Sequence, residues 1–176
     1  MKFKIFRFKK VESTNNSAIR IIKNSNTDYG MIIANEQKSG RGQYGKKWIS
    51  YKGNLFVSFF LSLENLNIKL KEITKINCLL IKKLLSIYYK KEIIFKKPND
   101  LLIDKKKICG ILQETLVKLD KKYLIVGIGI NLIKNPKLKN YPTTNLYELL
   151  NKKISKNEVE KEIKKIFELN LTKLYK

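Results

Sequence analysis

"EIIFKKPNDLLIDKKKICGILQETL", Glu92 to Leu116, reads as strand, turn, strand, tight polar hairpin and strand. Pro98 bars a helix here, because its ring removes a backbone donor and clashes with the preceding turn. Asp104 to Lys107 is turn chemistry and supplies the hairpin tip. Consecutive antiparallel segments of this kind predict a sheet built largely from hairpins. The next stretch, "KKYLIVGIGINL" from Lys121, extends it as another strand, with Gly127 and Gly129 letting some other group approach the backbone closely.

Working outward, "YGMIIANEQ" from Tyr29 is a short buried strand, and "GNLFVSFFLSL" from Gly53 has the β-branched and aromatic content of a central one. Lys2 to Phe8 alternates basic and apolar residues and predicts a first strand. Ser13 and Thr14 are N-cap candidates for a helix carrying Ala18, Ile21 and Ile22. Ile73, Ile76, Leu80, Leu84 and Ile87 follow helical spacing within Lys69–Lys90, and Val159, Ile163 and Ile166 do so within Ser155–Tyr175. The expected fold is α+β: a mixed, mostly antiparallel sheet with helices packed on one face. With no repeat and no break in composition, all 176 residues are expected to form a single domain.

Composition narrows the chemistry. The chain has no histidine and only two cysteines, Cys78 and Cys109. That removes every imidazole-based mechanism and leaves no zinc-binding set. Reactions here must run on carboxylates, lysines, backbone amides or a bound cation. A formal charge of +23 invites a nucleic-acid reading. Yet the lysines are spread along the chain beside abundant isoleucine and asparagine, and the only arginines are Arg7, Arg20 and Arg41. A nucleic-acid face would more often cluster its charge and favour arginine. No apolar run reaches the roughly 20 residues that cross a bilayer, and the N-terminus lacks a signal-peptide core; the expected compartment is the cytoplasm, with no membrane partner.

"EQKSGRGQYGKKW", Glu36 to Trp48, packs glycines and basic residues together. Glycine lets the backbone aim several N–H groups at an anion, and Arg41 adds a forked donor suited to carboxylate or phosphate. The spacing fits neither a P-loop nor a dinucleotide-binding fingerprint. Taken alone, the stretch is equally a solvated hairpin loop.

Read in order, "STNNSA", "SGRGQYGKKW", "KKPNDLL", "KICGILQE" and "VGIGINL" resemble the catalytic domain of biotin–protein ligases, from about Val11 to Leu146. The resemblance implies a class II synthetase-like biotin/lipoate ligase fold. It also implies a two-step reaction: biotin and Mg-ATP give biotinyl-5′-AMP and pyrophosphate, and a lysine of a biotin carboxyl carrier protein or domain then attacks the mixed anhydride. Such chemistry suits a chain without histidine, because ATP activates the carboxylate and the partner brings the nucleophile.

Position by position, the resemblance assigns Ser13, Thr14 and Gln37 to the ureido ring of biotin, with helix capping and a loop polar residue as their plainer readings. Gly40 and Arg41 match the loop closing over biotin and its adenylate, and Trp48 a pocket tryptophan that is otherwise a core aromatic. Asn99 and Asp100, which alone would be turn residues, match a nucleotide-facing motif with Mg2+ near Asp100 but no protein-held metal site. Lys107 matches the lysine that reaches carboxylate and phosphate, whereas Lys105 and Lys106 belong to the hairpin tip. Gly110, Gly127 and Gly129 match positions of close backbone approach, Asn131 and Gln43 stand on the adenylate side, and Cys109 is a packing residue. Arg41, Asp100 and Lys107 are the expected catalytic groups.

The sequence departs from the family pattern at Lys97, where a tryptophan is usual, and at Gln43, where many members carry a second loop arginine. The first departure puts local packing in question and the second the retention of the adenylate. Neither a preceding winged helix nor a following β-barrel domain is expected, so autonomous DNA binding is not, and the chain is expected as a monomer or weak homodimer. Ligation of lipoate or octanoate, or a non-catalytic scaffold or nucleic-acid-binding role, are the alternatives.

Overall fold

In the computed structural model, described for residues 2–64 and 70–171, seven strands form one sheet flanked by four helices. The strands are β1 (Lys4–Val11), β2 (Tyr29–Gln37), β3 (Leu55–Ser62), β4 (Ile94–Lys96), β5 (Asp100–Ile103), β6 (Lys106–Lys118) and β7 (Lys121–Ile130). The helices are α1 (Thr14–Asn24), α2 (Leu70–Tyr88), α3 (Leu146–Leu150) and α4 (Lys156–Leu171). Strand order is β1-β2-β3-β7-β6-β5-β4, and only β1 and β2 run parallel. The α+β, mostly antiparallel reading therefore holds. The Asp104–Lys105 tip takes left-handed backbone at both residues, the turn that suits a two-residue hairpin.

Strand alternation sorts the core onto two faces. Met31, Ile33, Val57, Phe59, Leu124 and Val126 point one way, against α2 and α4. There Phe59 stacks on Phe167 at 4.1 Å between ring centres, and Phe3 meets Phe59 edge-on at 4.9 Å. Ile32, Phe60 and Ile125 point the other way and pack on Ala18 and Ile22 of α1. Helices thus lie on both faces, not one. The sequence expectation of a single covered face fits α2 and α4 and misses α1, whose short apolar stripe covers only part of the opposite face. The uncovered remainder of that face carries the site.

Local chemistry sets the helix limits. Ser13 is the cap of α1: its backbone is extended and its Oγ accepts from Asn16 N at 3.0 Å. Thr14 is the first helical residue rather than an alternative cap. In α2, Ile73, Leu80 and Leu84 are buried as the spacing predicts, but Ile87 is exposed, because the 3.6-residue repeat carries the apolar stripe on to Leu85 and Tyr89. Val159, Ile163 and Ile166 are buried on α4. Lys69 and residues 172–175 of the expected last helix lie outside the described residues. Lys156 is held under α4 by the Ala34 carbonyl at 3.1 Å, and burial, offset in part by Glu160, pulls its ammonium pKa down.

Candidate active site

A row of paired residues crosses the open face: Ala34, Phe56, Gly129, Gly110 and Asp100, contributed in turn by β2, β3, β7, β6 and β5. The adjacent row pairs Ser58 with Gly127 and Gly127 with Leu112. Three glycines side by side leave a floor without side chains. The indole of Trp48 lies over it: a Cβ on Gly110 would come 2.7 Å from Trp48 Cζ3, and one on Gly129 would come 2.6 Å from Cζ2 and 2.8 Å from Nε1. A methyl group at either position has no room unless the tryptophan moves. Above this floor is a cleft of about 510 Å³, within the range of small-molecule sites.

A β-bulge turns Lys107 towards the cleft. Leu101 pairs with Cys109 but Leu102 pairs with Lys107, so Ile108 is an extra residue in β6. Ile108 and Cys109 consequently both point into the core under the sheet, and Lys107 is turned onto the same face as Gly110. Strict alternation would have put Lys107 and Gly110 on opposite sides. Asn131 N donates to the freed carbonyl of Ile108 at 2.9 Å, while Lys107 exchanges backbone hydrogen bonds with Pro142 and Thr144. The bulge is thereby locked from both flanks.

Lys107 Nζ stands 2.8 Å from Asp100 Oδ1, a contact of charges rather than an aligned hydrogen bond. The Tyr141 hydroxyl donates to Asp100 Oδ2 at 2.7 Å. Burial, and then this bond to a carboxylate, push the Tyr141 pKa well up. Lys107 Nζ also faces the rings of Trp48 and Tyr141 at 5.3 and 5.4 Å, and Lys96 Nζ lies 4.3 Å from the centre of Tyr141. Arg41, Lys46, Lys47, Lys96, Lys97 and Lys107 border the cleft, and Asp100 is its one acidic lining residue among those described. Such a balance favours an anionic occupant.

The glycine segment folds as a small hairpin over one side of the cleft. Trp48 N donates to Gly40 O at 2.8 Å, Arg41 bridges Lys47, and Gln43–Gly45 forms a single 3-10 turn with Tyr44 in left-handed backbone and almost wholly exposed. Arg41 Nη2 donates to Glu114 Oε2 at 2.7 Å. At the root of the hairpin, Gln37 Oε1 accepts from Thr14 N at 2.8 Å and Thr14 Oγ1 at 3.2 Å, and its Nε2 donates to Ser50 Oγ at 3.0 Å.

Of the residues singled out in the sequence, Ser13, Thr14, Gln37, Arg41, Gln43, Trp48, Asn99, Asp100, Lys107, Gly110, Gly127, Gly129 and Asn131 all border this one cleft. Gly40 does not. It is buried behind the wall, where a Cβ would stand 2.8 Å from Ser50 Oγ and closer still to backbone, so its role is to let the hairpin close. Asn99 spends its amide on structure, donating to the Ile111 carbonyl at 2.6 Å. Lys97 is exposed, Lys105 and Lys106 are exposed at the hairpin tip, and Cys109 is fully buried under the sheet. Burial drives the Cys109 thiol pKa well up, which marks a packing residue.

Sequence reasoning missed Asn15, Glu114 and Tyr141. Asn15 is buried, accepts from Ser58 Oγ at 2.5 Å and donates to Glu114 Oε2 at 2.6 Å. Its signal was its position inside "STNNSA"; that of Glu114 was its place in "KICGILQE", on the same strand face as Gly110. Tyr141 sits in an irregular stretch and gave no signal. Asn54 was also missed. Fully buried, it accepts at Oδ1 from the backbone of Leu132, Ile133 and Lys134 at 3.0, 3.0 and 3.3 Å, and so shapes the wall that follows β7.

Residues 7–131 match the profile of the Biotin/lipoate A/B protein ligase family. The bifunctional ligase/repressor BirA of Bacillus subtilis is 29% identical over 128 residues, 72% of this chain and 39% of that protein. The biotin–[acetyl-CoA-carboxylase] ligase of Paracoccus denitrificans is 26% identical over 130 residues, 72% of this chain and 54% of that one. This chain therefore spans well under two thirds of the length of these curated relatives. Among solved structures, the biotin protein ligase of Aquifex aeolicus in complex with biotin and ATP superposes with a TM-score of 0.82 at 32% identity, covering 98% of this chain and 72% of that one. On the profile match and this agreement of fold, the chain belongs to the Biotin/lipoate A/B protein ligase family.

Proposed function

We propose that this protein joins biotin to a lysine of a biotin carboxyl carrier domain by way of biotinyl-5′-AMP. One observation carries the reading: two cations on different elements, Arg41 and Lys107, flank a glycine floor in a cleft whose lining is cationic and histidine-free. In the first step a biotin carboxylate oxygen attacks the α-phosphorus of ATP, the bond to the β-phosphate bridge breaks, and pyrophosphate leaves. In the second, the carrier amine attacks the acyl carbon, AMP departs with the bonding pair, and the amine loses a proton.

Neither step calls for an imidazole. The protein's part is to hold two anions together and steady the charge that develops between them. At about 4 Å and an effective dielectric near 20, one ammonium–oxyanion contact is worth roughly 4 kcal/mol. Lys107, kept largely sheltered beside Asp100, supplies that charge from the floor, and Arg41 supplies a second from the hairpin. Thr14 and Gln37 offer the neutral polar edge suited to the ureido ring, although in the free protein they bond to one another.

Magnesium enters this reading as the counter-ion of ATP. Among the described residues no three histidine, cysteine, aspartate or glutamate side chains converge, and in the free protein Asp100 is engaged by Lys107 and Tyr141. Incubation with biotin, ATP, magnesium and a purified carrier domain, followed by intact-mass measurement, tests the proposal. The carrier should gain one biotinyl group on one lysine; a carrier of unchanged mass overturns it. Lipoate or octanoate in place of biotin should give no product.

A further inference from the structure

Glu114 has no part in the chemistry above, yet it is where the hairpin is fastened. Its Oε2 accepts from Arg41 Nη2 at 2.7 Å and from Asn15 Nδ2 at 2.6 Å. Asn15 is itself fixed from below, accepting from buried Ser58 Oγ at 2.5 Å and donating to the Leu112 carbonyl at 3.3 Å. It lies over Gly127, where no side chain competes for the space. The chain of bonds runs from the sheet interior through Ser58, Asn15 and Glu114 to a cation on an external loop.

Three consequences follow from the geometry. The carboxylate is anchored at the sheet, while the guanidinium is the partner carried by the hairpin. Arg41 meets Glu114 through one terminal nitrogen only, which leaves other N–H groups of the fork free for the cleft. The hairpin that carries Arg41 also carries Trp48, so fastening one seats the other on the glycine floor.

We infer that Glu114 is a positioning residue: a fixed carboxylate that holds Arg41, and with it the Trp48 hairpin, over the cleft before any ligand arrives. A bound carboxylate or phosphate then meets a cation already aimed. That last step rests on the ligase reading; the fastening in the free protein does not.

Trp48 is the single tryptophan of the chain and reports the hairpin directly. In ligand-free protein, Glu114→Gln should raise acrylamide quenching of Trp48 by about 1.4- to fivefold, the shift expected for losing a partly exposed charge pair. Arg41→Gln should do the same, and the double variant should go no further than either single one. Because Arg41 lies on the exposed loop, its variant gives this readout even if Glu114→Gln folds poorly. Unchanged quenching in the folded single variants, or effects that simply add in the double, overturns the inference. Saturating biotin and ATP should return Glu114→Gln to the wild-type quenching constant. Heightened quenching in free protein that ligands leave untouched upholds the fastening and counts against the ligase reading instead.

Discussion

Trp48 rests on Gly129, its indole filling the volume that any side chain at that position would need. Gly129→Ala should therefore lift Trp48 from the floor, at a cost of about 1–3 kcal/mol for forcing a methyl into occupied space. The expected result is red-shifted tryptophan emission and weakened biotin binding by titration, with far-ultraviolet circular dichroism unchanged. Wild-type emission and affinity in this variant would show that the floor tolerates a side chain.

Lys107 and Asp100 meet at 2.8 Å, and the ammonium faces the same indole at 5.3 Å. On the proposed function, removing the amine by Lys107→Ala should slow adenylation by about 10²–10³, the scale for losing one preorganised donor. Biotin-dependent pyrophosphate release measures this. Full activity in the variant would remove Lys107 from the reacting centre.

Asn54 is a stability prediction separate from the chemistry. Its side chain satisfies three backbone donors of the segment after β7 and donates to the Lys134 carbonyl at 2.6 Å. Asn54→Ala leaves the buried Leu132 N–H unpaired, removes the partner of the less buried donors on Ile133 and Lys134, and should cost about 1–3 kcal/mol. Thermal or urea denaturation should show the loss; a midpoint equal to wild type would mean that water replaces the amide without penalty.

The two thiols give a pH dependence. Burial pushes the Cys78 pKa up to about 12, and Cys109 is raised as well, again first by burial. Above about 8.5 the unfolded chain sheds thiol protons that the folded chain keeps. Their contribution is complete below that pH and is lost progressively as pH rises towards the folded value. Stability should decline across that alkaline window, and Cys78→Ala should flatten the decline. At about pH 8, just below the free-thiol pKa, the native protein should resist thiol reagents that label both cysteines in denaturant. Rapid labelling of the native protein would contradict the burial.

Much of the architecture was legible because alternation and helical spacing are local signals. Tyr29–Gln37 was readable to the residue, and the Asp104–Lys105 tip followed from turn chemistry. The candidate site residues came from short motifs, and in the structure all of them but Gly40 border one cleft. What stayed hidden depends on long-range register. Nothing local announces that Ile108 is a bulge, yet without it Lys107 would face the core. The fastening of Arg41 to Glu114 joins residues 73 positions apart, and a polar side chain on a strand gives no hint of such a partner. The placement of α1 on the open face was missed for a similar reason: an amphipathic stripe shows that a helix packs, not against which face.

Isotope exchange tests the central claim most directly, since it needs no carrier. On the proposed function, labelled pyrophosphate should enter ATP only when biotin is present with magnesium, because the proposed adenylation would be reversible for as long as Arg41 and Lys107 kept the mixed anhydride enclosed. Exchange that is absent with biotin, or that runs equally well with lipoate or octanoate, would contradict the account.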